Sequence, residues 1–127
     1  MPKSFQDRPD TAYFYLVKEC PYLHTLMIRE RISSATVLLL AYTGTNLRYL
    51  YVRRNAIVLK CDWPKNSDWT SEFYDWLRRN SQSYDDMENE VSQILGFRWY
   101  ALNDKQFKHT PLNLNTLYYR CGFDDAR

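Results

Sequence analysis

Two adjacent stretches in the middle of the chain carry helix signals at both ends, and they restrict the fold more than any other feature of the sequence. Near residues 68–80, Trp69, Phe73, Trp76 and Leu77 recur at i, i+4, i+7 and i+8, which is one helix face. Ser67 can cap this helix, Asp68 suits its positive end, and Arg78 and Arg79 suit its negative end before Asn80. Near residues 84–95, Met87, Val91, Ile94 and Leu95 form a second apolar stripe. Ser83, with Asp86 three residues on, resembles a capping box, and Gly96 is placed as the C-terminal stop. Two helices with one apolar stripe each must bury those stripes against another layer.

The residues before them read as that layer. Tyr13–Val17 is an aromatic and β-branched run and is expected as a strand, with a helix capped by Asp10 as the competitor. Leu23–Ile32, Thr36–Tyr42, Leu47–Arg54 and Ala56–Trp63 follow as four candidate strands of a meander. Turn-forming residues separate them: Ser33-Ser34, Thr43-Gly44-Thr45-Asn46 and Asn55. After the helices, Phe97–Leu102 and Leu114–Arg120 read as a C-terminal strand pair. The expected fold is therefore α+β: a largely antiparallel sheet, with an N-terminal meander, two consecutive amphipathic helices and a final pair of strands. A second reading makes Ala35–Tyr42 and Leu47–Arg54 two helices around a turn, a helix-turn-helix. Their β-branched and aromatic content argues for strands.

The 127 residues suit one globular domain, with residues 1–10 as a polar lead-in. Apolar residues at 45% and charged residues at 25% are ordinary for a folded domain, whereas 17% aromatic residues are not, and such a composition argues against long disordered stretches. Three widely spaced cysteines, Cys20, Cys61 and Cys121, are an odd count, unlike a secreted disulfide framework. The first ten residues lack an apolar signal-peptide core, and the apolar run Ala35–Tyr42 is far short of a membrane span, so a cytoplasmic, non-membrane protein is expected. The net charge of +2 is too small to imply nucleic-acid binding by itself. It is unevenly spread, because residues 65–95 hold seven acids against three bases.

Residues 47–60 carry the first candidate chemistry. Arg48, Arg53, Arg54 and Lys60 stand among Tyr49 and Tyr51, a pattern that could stack bases and track phosphates of single-stranded nucleic acid. That use requires outward-facing tyrosines. If Tyr49 and Tyr51 instead join Leu47 in the core, the arginines are solvated or pair with helix acids, as charged strand edges ordinarily do. Cys20, His24, Cys61, His109 and Cys121 lack the close pairing of zinc ligands, so no metal site is expected, no cofactor is implied, and no catalytic residue is assigned. Asp85, Asp86, Glu88 and Glu90 are accounted for by the positive end of a helix. Thr43-Gly44-Thr45-Asn46 has too few glycines for a phosphate loop.

LLLAYTGTNLRYL, residues 38–50, resembles the segment of tyrosine recombinases that carries their first catalytic arginine, near Arg48. PLNLNTLYYRCGF, residues 111–123, resembles their later His-x-x-Arg segment, with Leu112 and Asn115 where that His and Arg are expected. The resemblance covers under a quarter of the chain and lacks most of the catalytic set, so no activity is carried over. Tyrosine, tryptophan and arginine are also the residues that dominate protein interfaces, and 11 Tyr and 4 Trp are many to hide in one core. The first expectation is a non-enzymatic protein-binding module, such as an adaptor, an immunity-type protein or a virus- or phage-type inhibitor, with another protein as partner. Next comes a nucleic-acid-binding module using residues 47–60, and third a small enzyme of unknown reaction.

Overall fold

A computed structural model describes residues 8–108. Helix α1 (Pro9–Glu19) leads into strand β1 (Thr25–Ile28) and the short strand β2 (Ile32–Ser33). Helix α2 (Ser34–Thr43), strand β3 (Tyr49–Val52), a 3-10 turn (Arg54–Ala56) and strand β4 (Ile57–Val58) follow. Helices α3 (Ser71–Asn80), α4 (Tyr84–Leu95) and α5 (Asp104–Lys108) complete the described part of a small single domain.

The expected antiparallel meander is absent, and the domain is predominantly helical. Pairing is parallel throughout the described strands. β1 lies beside β3 with Thr25 opposite Tyr49 and Ile28 opposite Val52, while β2 lies beside β4 with Ile32 opposite Ile57. Parallel neighbours need a crossover rather than a hairpin, and α2 supplies it for both pairs. The segment Thr36–Tyr42, expected as a strand, is thus the interior of α2. Every residue from Ser34 to Ala41 is buried, so the helix is apolar on all sides and has no stripe for a periodicity argument to find. Its ends are nevertheless marked. The Ser33 hydroxyl accepts the Thr36 N–H at 3.2 Å, and Gly44 closes the C-terminus. At Gly44 a Cβ atom would stand 2.8 Å from Val17 Cγ1 and 3.0 Å from Leu47 Cβ, so only glycine lets α1 and the next strand approach here. The helix-turn-helix reading fails at its second half, because residues 49–52 are strand β3.

Tyr13–Val17 is also helix, within α1. Pro9 takes the first helical position, which it favours, and Asp10, Phe14 and Val17 form the buried face. The polar lead-in therefore ends before residue 9, with Asp10 already in the interior. Helix α4 matches its expected bounds, with Ser83 accepting from Asp86 N and Gly96 at φ 87°. Helix α3 starts later than expected: Thr70, not Ser67, caps it by accepting the Phe73 N–H. Phe97–Leu102 forms no regular strand but runs extended beside β3. Leu102 N donates to Val52 O at 2.9 Å, and Arg54 N donates to Leu102 O at 2.7 Å. Leu114–Arg120 lies outside the described residues.

The core gathers around α2. Helix α1 covers one side, α3 and α4 another, and the buried residues Leu26, Ile28, Leu50 and Val52 of the strands close it. Among the described residues no helix is long and apolar enough to cross a membrane.

Candidate functional site

The six residues singled out in segment 47–60 do not form one patch. Tyr49 is 54% exposed, and Tyr51 lies half-buried on the same outward side of β3, because Leu50 and Val52 point inward. The core reading of these tyrosines is therefore wrong. Arg48 is exposed just before the strand. The other cations have partners within the chain. The Arg54 guanidinium lies over the Tyr84 ring at 4.2 Å from its centroid, Arg53 Nε stands 4.0 Å from Asp104, and Lys60 Nζ stands 3.6 Å from Asp62. Arg53 also lies 5.9 Å from the centre of Phe107. These contacts point Arg53, Arg54 and Lys60 toward α5, α4 and the irregular segment after β4. Burial pushes the Tyr51 hydroxyl above its ordinary pKa, and neighbouring Tyr49 pushes it the same way.

A second group of residues, not singled out as a site by any motif, comes together at the surface. Tyr42 sits in the last turn of α2 and is 56% exposed. Its ring centroid lies 4.7 Å from that of Phe73 and 6.1 Å from that of Trp76, and the latter two are 5.5 Å apart. The three rings floor an open groove between α3 and α4, with Ile94, Glu72, Glu90 and Gln93 completing its walls. Ile94 is 36% exposed, a large apolar side chain left at the surface. The indole N–H of Trp76 donates to Glu90 Oε1 at 2.7 Å, which fixes both the ring and the carboxylate.

The local reasons are simple. The α3 stripe is too wide to be covered by α2 alone. Leu77 takes the fully buried position, and Phe73 and Trp76 are left half-buried at its margin. The same holds on α4, where Met87 and Val91 are fully buried and Ile94 is not. Of the acids read together as helix-end residues, only Asp85 and Asp86 occupy the first turn. Glu88 is buried and accepts the Ala101 N–H at 2.9 Å, and Glu90 is the groove residue. The grouping of Tyr42, Ile94 and Glu90 is not legible in the sequence, because the groove draws on three separate helices.

Other polar clusters have structural explanations. Asp10, Ser33, Thr36 and Trp63 form a buried network, with Asp10 Oδ2 accepting from Ser33 N at 2.9 Å and Trp63 Nε1 donating to Thr36 Oγ1 at 2.8 Å. Burial pushes the half-buried Cys61 thiol upward, away from a reactive thiolate. Among the described residues no group of three or more His, Cys, Asp and Glu side chains is placed to hold a metal ion. No family model matches the chain, and no curated protein or solved structure matches it either. The groove thus has an aromatic floor, one exposed aliphatic residue and a polar rim.

Proposed function

We propose that this protein is a non-enzymatic protein-binding module of the cytoplasm, and that the groove between α3 and α4 receives its partner. The observation that carries this reading is the cluster of Tyr42, Phe73 and Trp76 with Ile94 at the solvent face of the helical layer. Tyrosine and tryptophan are among the side chains that contribute most per residue to association, and an open groove between two helices suits a helical or extended peptide segment. A partly exposed apolar cluster of this kind, with Tyr42 and Ile94 at the surface, invites self-association, so a partner that covers it accounts for its presence.

A second reading, single-stranded nucleic acid at β3, is supported by the outward tyrosines, since stacking needs an exposed ring face. It ranks lower because Arg53, Arg54 and Lys60 have acidic or aromatic neighbours within the chain, leaving Arg48 beside the tyrosines. The two readings separate in one experiment. The protein is used to capture binders from extract of its own cells, with and without nuclease, beside a Tyr42→Ala/Ile94→Glu variant and a Tyr49→Ala/Tyr51→Ala variant. A nuclease-resistant protein lost only by the groove variant supports the first reading. A nuclease-sensitive complex lost only by the strand variant replaces it with the second.

A further inference from the structure

From the chemistry of the groove we infer that its occupant is an arginine-bearing segment of another protein, held by its guanidinium between the aromatic floor and the carboxylates of Glu72 and Glu90. The inference rests on the protein-binding reading above and specifies what that groove recognises.

Three features of the groove favour a cation. None of its lining residues is basic, and two are carboxylates. Glu72 is exposed, in the first turn of α3, where the helix dipole is reason enough for an acid. Glu90 has no such reason. It lies in the second turn of α4, beyond the reach of that end effect, and one of its oxygens is anchored by the Trp76 indole at 2.7 Å. The anchored carboxylate keeps its other oxygen for a ligand. The rings supply the second feature. Phe73 and Trp76 lie 31° apart in plane with centroids at 5.5 Å, and Tyr42 is tilted against both at 48° and 49°, so three aromatic rings are gathered at the groove. Ring faces attract cations, and tryptophan does so most strongly. The third feature is the end of α2. Tyr42 belongs to its last turn, where unpaired carbonyls concentrate partial negative charge.

Arginine fits this setting better than lysine. Its planar guanidinium can lie flat on a ring while its edge donates to a carboxylate, and it gives up its hydration more readily than an ammonium group. The chain already uses this packing elsewhere: Arg54 lies over Tyr84 and Arg78 over Tyr74, with 4.2 Å and 5.7 Å from guanidinium to ring centre. Ile94 beside the rings provides an apolar contact for the segment that carries the arginine. Charge complementarity extends past the groove, since residues 65–95 hold seven acids against three bases and a basic segment would be drawn to this side of the domain.

The test uses the full chain and a synthetic amphipathic peptide with leucines at helical spacing and arginines between them. The same peptide with citrulline for arginine serves as the neutral control of equal shape. Binding is followed by the NMR signal of the Trp76 indole N–H, assigned through Trp76→Phe. The arginine peptide is expected to shift that signal and to bind at least tenfold more tightly than the citrulline peptide. Glu72→Gln/Glu90→Gln should remove most of this difference, because glutamine keeps the bond from the indole and loses the charge. Equal binding of the two peptides, or no shift at millimolar peptide, overturns the inference. So does a Trp76 signal that moves with the concentration of the protein alone, which would make a second copy the occupant. If the peptides bind equally while the groove variant still loses its captured partner, the protein-binding reading stands and arginine recognition falls. If the arginine peptide shifts the signal tenfold more tightly yet capture is unchanged in the groove variant, it is the protein-binding reading that fails.

Discussion

Asp10 is 1% exposed, and donors from three directions converge on it. Ser33 N–H and the Thr36 hydroxyl reach Oδ2 at 2.9 Å and 2.5 Å, and the Arg8 guanidinium reaches Oδ1 at 3.1 Å. Through Thr36 the network continues to the Trp63 indole, so a single carboxylate fastens the start of α1 to the start of α2 and to the chain after β4. Asp10→Ala would leave buried donors without an acceptor and should cost about 2–4 kcal/mol in urea unfolding. A loss below about 1 kcal/mol would mean that water or neighbouring groups take over the role. Cys61 offers a second check on a single side chain. Burial is the largest cause of its raised pKa, with Asp62 acting in the same direction, against weaker opposing pulls from the Trp63 backbone N–H and Arg78. The folded thiol therefore ionises at higher pH than the unfolded one. The stability this contributes is complete below the ordinary thiol pKa and is lost as pH rises through the folded value. At neutral pH iodoacetamide should modify Cys61 more slowly in the folded protein than in urea, by adduct mapping. Equal rates would contradict the assigned burial.

At the level of helices and strands, the sequence was most legible where end signals and a stripe agreed. Ser83, the Met87–Val91–Leu95 spacing and Gly96 all mark α4, and the structure keeps those limits. For α3 the stripe holds from Phe73 to Leu77, whereas Trp69 and the expected cap Ser67 lie outside the helix. Ser67 and Thr70 are both competent caps, and the choice falls to Thr70 because Trp69 packs against Trp63 and Tyr74 from outside the helix, at 6.3 Å and 6.0 Å. Thr70→Ala should thus cost about 1 kcal/mol, whereas Ser67→Ala should change stability by less than about 0.5 kcal/mol. The reverse order in thermal or urea melts would move the helix start back to Ser67. The illegible element was α2. A run such as Thr-Val-Leu-Leu-Leu-Ala is equally compatible with a buried strand and a buried helix, and only the surrounding layers decide. Once it is a helix, the flanking strands become parallel, and the antiparallel fold expected from hairpin spacing is no longer available. In β3 the alternation was readable but not its orientation. The buried set is Leu50 and Val52, so the tyrosines face out. The groove was the least legible feature, since Tyr42, Trp76 and Glu90 meet only after α2, α3 and α4 have packed.

Across the whole domain, charge and aromatic surface are distributed together. The acidic stretch forms the layer of α3 and α4, while the cations of segment 47–60 lie on the strands and turns that follow α2. Around the groove, the half-buried rings of Phe73 and Trp76 and the exposed ring of Tyr42 from α2 thus stand beside negative charge, a pairing suited to a basic, partly apolar partner. The strand face offers exposed tyrosines with fewer free cations, a weaker lure for a phosphate backbone. The most direct test is the dissociation constant of a captured partner for the wild-type chain and for Tyr42→Ala, measured by titration calorimetry. Tyr42 is mostly exposed, so its removal should leave the melting temperature within a few degrees. If the groove holds the partner, the dissociation constant should rise about tenfold or more, the loss of about 1.4 kcal/mol or more that marks an interface anchor. An unchanged dissociation constant with intact stability would contradict the account and move the binding surface away from α3 and α4.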